Sequence, residues 1–220
     1  MRSSQTIAVA TLVVLGLIAG RTLAEDVKSL ATDFEAFETG KLPKGFSTAL
    51  TGGGGAVAWA IQEDAKAASG KKVLAQTSAD DTDNRFPLCI YDELSAKDVD
   101  VTVKLKAIEG KVDRAGGIAV RLKDKDNYYL ARANALEDSV RFYRVEGGSR
   151  KTLAGVSKKV SSGEWHTLRL VAKGAHFEVW FEGEKVVEHD DETFKTAGKV
   201  ALWTKADSVT EFDDLAIEVR

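Results

Sequence analysis

"NYYLARANALEDSVRFYRV" runs from Asn127 to Val145, and its reading decides the fold. Two runs rich in aromatic and β-branched residues flank a polar turn, "ALEDS". That pattern is a pair of strands joined as a hairpin. Side chains alternate along a strand, so Arg132 and Asn134 share one face of the first strand, and Arg141 and Tyr143 share one face of the second. Val140 and Phe142 then read as core. "YYLARA" is apolar on both sides, which leaves the direction of Arg132 and Asn134 open.

The same chemistry extends outward in both directions. Upstream lie "VAWAIQE", "KKVLAQTS", "RFPLCIYD", "DVDVTVKLKAI" and "GGIAVRLK". Downstream lie "EWHTLRLVAK", "HFEVWFEG", "EKVVEHD", "KVALWTK" and "VTEFDDLAIEV". Each is a short alternating run bounded by Gly, Asp, Asn or Lys. Gly174 and Gly183 mark two tight hairpin turns, and "TGGGG" at Thr51 to Gly55 reads as a loop. So many short strands in one domain predict an all-β fold, a two-sheet sandwich of the jelly-roll kind.

The first residues read differently. Arg2 precedes an apolar run from Ile7 to Ala19, and Thr22-Leu23-Ala24 offers a small-residue cleavage site. This is the layout of a secretory signal peptide, and the run is shorter than the roughly 20 residues that span a bilayer. The expected organisation is a signal peptide over 1–24, a short linker over 25–31 and one jelly-roll domain over 32–220. The mature protein is then expected to be periplasmic or extracellular, with no membrane span.

Net charge is −3, so no broad basic face for nucleic acid is implied. Cys89 is the only cysteine, which excludes an intrachain disulfide, and its strand position predicts a buried, inert thiol.

"GGIAVRLKDKDNYYLARANALEDSVRFYRV", "GEWHTLRLVAKGAHFEVWFEGEKVVE" and "AGKVALWTKADSVTEFDDLAIEV" resemble the laminin-G-like, concanavalin A-like jelly rolls of secreted bacterial proteins. More narrowly, they resemble the domain family named for 3-keto-disaccharide hydrolase. "FEAFETGKLPKGF" matches the first-strand pattern of that family. The resemblance implies a concave sheet that carries the ligand. It does not fix the chemistry, because this fold hosts lectins, binding modules, glycosidases and adhesive domains.

Alternation selects what faces such a cleft. Ile118, Val120 and Leu122 read as core, which turns Ala119 and Arg121 the other way. Val200 and Leu202 read as core, which turns Ala201, Trp203 and Lys205 outward. The candidate ligand-binding set is therefore Arg121, Arg132, Asn134, Arg141, Tyr143, Trp203 and Lys205. Aromatic rings stack on sugar faces, while Arg and Asn give multiple donors to hydroxyls or a carboxylate. Trp59 reads as core.

Other constellations carry less. Glu188-His189-Asp190-Asp191-Glu192 matches the alternating-carboxylate pattern of laminarinase-type glycosidases, whose paired carboxyls stand about 5–5.5 Å apart. Its intervening positions are polar, so a solvated acidic turn is the expectation. Asp33, Glu35, Asp213 and Asp214 fall on terminal strands that pair in this fold, and relatives hold structural Ca²⁺ there. Six or more oxygens are needed for that ion, so turn and edge charges are the default and no cofactor is required. His166 reads as structural.

The leading expectation is a lectin-like domain that binds an oligo- or polysaccharide. The alternative is a glycoside-acting enzyme of the 3-keto type, hydrolase or lyase, with Arg132 or Lys205 polarising the carbonyl and Asp207 as candidate base. A noncatalytic protein-interaction domain is the third reading. A carboxylate beside Arg121 and Arg132 would favour the enzyme.

Overall fold

A computed structural model of the protein describes residues 29–220. The expected signal peptide over 1–24 lies outside the described residues. Eight strands form one sheet: β1 (Leu30–Thr32), β3 (Trp59–Glu63), β4 (Lys72–Gln76), β6 (Val99–Glu109), β11 (His166–Lys173), β12 (His176–Phe181), β13 (Glu184–Asp190) and β15 (Val209–Val219). Seven form the other: β2 (Phe46–Gly52), β5 (Arg85–Ala96), β7 (Ala115–Asp124), β8 (Asn127–Asn134), β9 (Ser139–Glu146), β10 (Ser149–Ser157) and β14 (Gly198–Thr204). The fold is all-β, an antiparallel two-sheet jelly-roll sandwich. Among the described residues, no helix is long and apolar enough to cross a membrane.

The hairpin read from Asn127 to Val145 is β8 and β9, with Arg132 directly opposite Arg141. Both predicted glycine turns are present, at Gly174 and Gly183, each with positive φ. The terminal strands pair as expected, β1 against β15, but β1 ends at Thr32, so Asp33 and Glu35 lie in the turn beyond it rather than on the strand. Leu30 and Ala31, assigned to the linker, belong to that pairing, so the sandwich starts slightly earlier than the sequence suggested. Sequence reading also missed β2 and β10, which are the two edge strands of the seven-stranded sheet. β10 has an irregular, half-exposed pattern, so its residues never show the clean alternation that burial of one face imposes.

The main core fills the space between the sheets. Cys89, Ile118, Val120, Val140, Phe142, Val200 and Leu202 point into it from one side, and Val101, Val103, Leu168, Leu170, Phe212 and Ile217 from the other. Trp59 is core as expected. Cys89 is fully buried, and desolvation drives its thiol pKa well above the ordinary value, which keeps it protonated and unreactive.

The chain order places the site. After β10 it leaves for β11, β12 and β13 in the other sheet, then returns as β14 between β7 and β5. Leu202 therefore lies opposite Ile118 and Cys89, and Trp203 opposite Gly117 and Leu88. A strand distant in sequence thus delivers Trp203 and Lys205 beside β7 and β8.

Candidate functional site on the seven-stranded sheet

The outer face of the seven-stranded sheet carries a second apolar layer. Phe86, Leu88, Ile90, Ala119, Tyr128, Leu130, Tyr143, Val145, Ala201 and Trp203 pack side by side there. Trp203 stacks on Phe86 with ring centroids 5.5 Å apart, and its Nε1–H donates to the Tyr128 hydroxyl at 3.3 Å. Tyr128 also meets the Thr51 hydroxyl at 3.1 Å, and burial pushes its pKa up to about 12. These groups form a rigid floor.

Most of the predicted ligand-binding set does converge on this face. Arg132 donates to Glu137 at 2.6 Å and to the Ser139 hydroxyl at 2.9 Å. Arg141 stands 3.6 Å from the same carboxylate. The Arg132 contact, with help from Ser139 and Arg141, holds the Glu137 carboxyl below its ordinary pKa despite partial burial. Lys205 lies between two carboxylates, 2.5 Å from Asp83 and 3.0 Å from Asp113. Burial works against its charge, but the two acids outweigh that and raise its pKa.

Three members are placed differently from expectation. Trp203 is fully buried and cannot stack on a sugar. Asn134 is fully buried as well. Its amide donates to Asp113 at 2.6 Å, and its carbonyl accepts the N–H groups of Leu136 and Glu137. It fixes the β8–β9 turn. Arg121 is not on this face at all. β7 bulges after Val120, as its register with β8 shows, and Arg121 takes a left-handed φ of 49°. Gly198 permits this, since a Cβ there would stand 2.4 Å from the Arg121 carbonyl carbon. A bulge reverses the alternation beyond it. Leu122 therefore joins the outer layer, while the Arg121 guanidinium lies 4.9 Å from the Phe177 ring centroid. It donates to the carbonyls of Lys97, Phe194 and Gly174 and pairs with Asp98 at 3.4 Å.

Asp207 is also structural in its contacts. Its carboxylate accepts the backbone N–H groups of Lys111, Val112 and Asp113. Burial opposes its charge, yet those donors hold its pKa below the ordinary value. A carboxylate stabilised this way is a poor base, and it lines a different cavity, beside Glu109 and Val112.

The residues that sequence reading missed are Arg150, Asp83, Asp113 and Glu137. Arg150, on edge strand β10, lies over the rings of Tyr143, Phe86 and Trp203 at 4.6, 5.0 and 5.6 Å from their centroids. With Lys205, Asp83, Asn84, Phe86 and the Gly147–Ser149 turn, it lines a cavity of about 480 Å³. Small-molecule sites commonly span about 300–1,000 Å³. In place of the expected exposed aromatic platform, the site presents an arginine packed over buried aromatic rings.

The remaining candidates lie elsewhere. Asp33 accepts the N–H of Glu35, Glu35 accepts those of Lys71 and Lys72, Asp213 accepts that of Ser69, and Asp214 pairs with Lys104 at 2.9 Å. Glu188 to Asp190 ends edge strand β13, and Asp191 bonds the Tyr129 hydroxyl and Arg144. His166 contacts Glu182 and the Ser161 carbonyl. His176, Glu178 and Glu188 cluster on the eight-stranded sheet, where Lys185 bridges both glutamates at 3.1 and 2.6 Å.

Known proteins share this architecture. The carbohydrate binding module CBM66 from Bacillus subtilis superposes with a TM-score of 0.64 at 22% identity, over 79% of this chain and 95% of that one. A Bacillus subtilis protein of unknown function with a galectin-like fold gives 0.55 at 14% identity, over 79% and 90%. These likenesses bear on fold alone. The levanase of Bacillus subtilis (strain 168) is 28% identical over 96 residues, which is 43% of this chain and only 14% of the levanase. Residues 45–218 match the model of the 3-keto-alpha-glucoside-1,2-lyase-like domain. That span contains β2 to β14 and all but the last residue of β15, and with them the whole outer face just described, so the chain belongs to the 3-keto-alpha-glucoside-1,2-lyase-like domain family.

Proposed function

We propose that the cavity beside Lys205 and Arg150 binds a saccharide and cleaves its glycosidic bond by elimination from a 3-keto sugar. The observation that carries this reading is the Asp83–Lys205–Asp113 arrangement. One cation and one exposed carboxylate, Asp83, border the same open space, while buried Asp113 holds the cation from behind. A ketone acidifies the hydrogen on the neighbouring carbon. Elimination needs a donor at the ketone oxygen and a base at that hydrogen. Lys205 supplies the donor and Asp83 the base. The proton passes to Asp83, its electron pair forms the carbon–carbon double bond, and the bond to the glycosidic oxygen breaks. The leaving oxygen then takes up that proton from Asp83, which restores the Asp83 carboxylate. Family membership and the partial likeness to a levanase support a carbohydrate substrate.

Carboxylates beside the cations move this reading ahead of the noncatalytic one. One observation favours pure binding as the second reading. Lys205 pulls the Asp83 carboxyl below its ordinary pKa, which weakens it as a base until a ligand separates the pair. Incubating the protein with a 3-keto-α-glucoside and following aglycone release decides between them. Turnover lost in Asp83→Asn with binding retained supports elimination. Tight binding without turnover in the unaltered protein overturns it in favour of a binding module.

A further inference from the structure

Arg150 differs from every other arginine among the described residues. Arg132, Arg141, Arg144, Arg169 and Arg220 each reach a carboxylate. Arg85 and Arg121 donate mostly to main-chain carbonyls, and Arg114 donates to the Gly110 carbonyl and the Ser162 hydroxyl. Arg150 has neither kind of partner, and its NH1 atom is buried without a hydrogen bond. Three aromatic rings remove water from it, so desolvation depresses its pKa, and nearby Arg132 adds to that. A guanidinium placed this way is costly until something accepts its hydrogen bonds.

The charges around it indicate what that partner is. Arg132, Arg141, Arg150 and Lys205 face Asp83, Asp113 and Glu137. The acids offset the other three cations, leaving one positive charge, carried by Arg150 at the cavity wall. A surplus of one charge suits a monoanion better than a phosphate dianion. The planar fork of arginine matches the two oxygens of a carboxylate, and the three rings packed against it strengthen the pairing by excluding water.

We propose that Arg150 is a specificity-determining residue that receives a carboxylate of the saccharide, so the preferred ligand is an acidic, uronate-bearing sugar rather than a neutral one. This rests on the reading of the cavity as a saccharide site. The unit that is cleaved sits at Lys205, and the acid group sits at Arg150.

The test is calorimetric titration with three oligosaccharides of identical linkage, ending in glucose, in glucuronate, or in the methyl ester of glucuronate. The glucuronate form should bind on the order of ten- to a hundredfold more tightly than the other two, the range of a charge-assisted hydrogen-bond pair. That preference should shrink as salt is raised. Arg150→Gln should bring the glucuronate-to-glucose affinity ratio to about one with the melting temperature nearly unchanged, and Arg150→Lys should keep part of the preference. If glucose and glucuronate forms bind equally, or Arg150→Gln weakens both alike, the carboxylate assignment is overturned and the saccharide site stands. If none of the three binds, both fall.

Discussion

Arg121 and Arg150 belong to opposite faces of one sheet, and both guanidinium groups rest on aromatic rings. There the likeness ends. Arg121 points between the sheets, where three carbonyls and Asp98 complete it. Arg150 points outward with an unsatisfied nitrogen. Burial costs a charge the same on either face, but only one of the two has that cost offset within the fold. The contrast separates an arginine that holds the structure from one that waits for a ligand, a distinction that residue type and strand position alone do not make.

The largest expected effect comes from breaking the satisfied partner. Arg121→Ala strands three carbonyls and removes the ion pair of Asp98, so it should cost about 3–5 kcal/mol at roughly 1–3 kcal/mol per unsatisfied buried group, read from urea melts, without altering ligand affinity. A loss below about 1 kcal/mol would remove the structural role given to this side chain. Asp207→Asn is next. Its carboxylate anchors residues 111–113, and replacing a charged acceptor should cost about 1–2 kcal/mol at neutral pH. Because its pKa is depressed in the folded state, that stability is fully present above the ordinary carboxylate pKa. It is lost as pH falls through the lower folded value. The acid limb of the stability curve should therefore be shallower in Asp207→Asn, and an unchanged limb would contradict the anchor.

Arg150→Gln should change stability by less than about 1 kcal/mol, since lost cation–π attraction and relieved desolvation oppose one another. A cost like that of Arg121→Ala would erase the contrast. Calcium should have the smallest effect. The oxygens of Asp33, Glu35, Asp213 and Asp214 already accept protein donors, so adding calcium or a chelator should leave the melting temperature in place. A calcium-dependent rise would restore the structural ion that the resemblance implied.

Much of the fold was legible because burial of one face imposes alternation. Val140 and Phe142 announced the direction of β9, and Val200 and Leu202 that of β14. Arg121 broke the rule because a bulge reverses phase, and its sign in the sequence is faint: Gly198, distant along the chain, is what permits it. Arg150 was invisible for a different reason. "SRKTLAGVS" is an edge strand, exposed on much of its length, so no period marks its inward residues. Asp83 and Asp113 lie outside strands, where only the return of β14 brings Lys205 between them. Trp203 was correctly assigned to the outer face. Its burial beneath Arg150 depends on that missed strand.

The most direct test of the account is a crystal structure of the protein soaked with a 3-keto-disaccharide or its elimination product. Density should appear in the cavity bordered by Lys205, Asp83 and Arg150, with the ketone oxygen toward the Lys205 ammonium. Ligand bound instead in the cavity beside Asp207, or on the eight-stranded sheet, would contradict it.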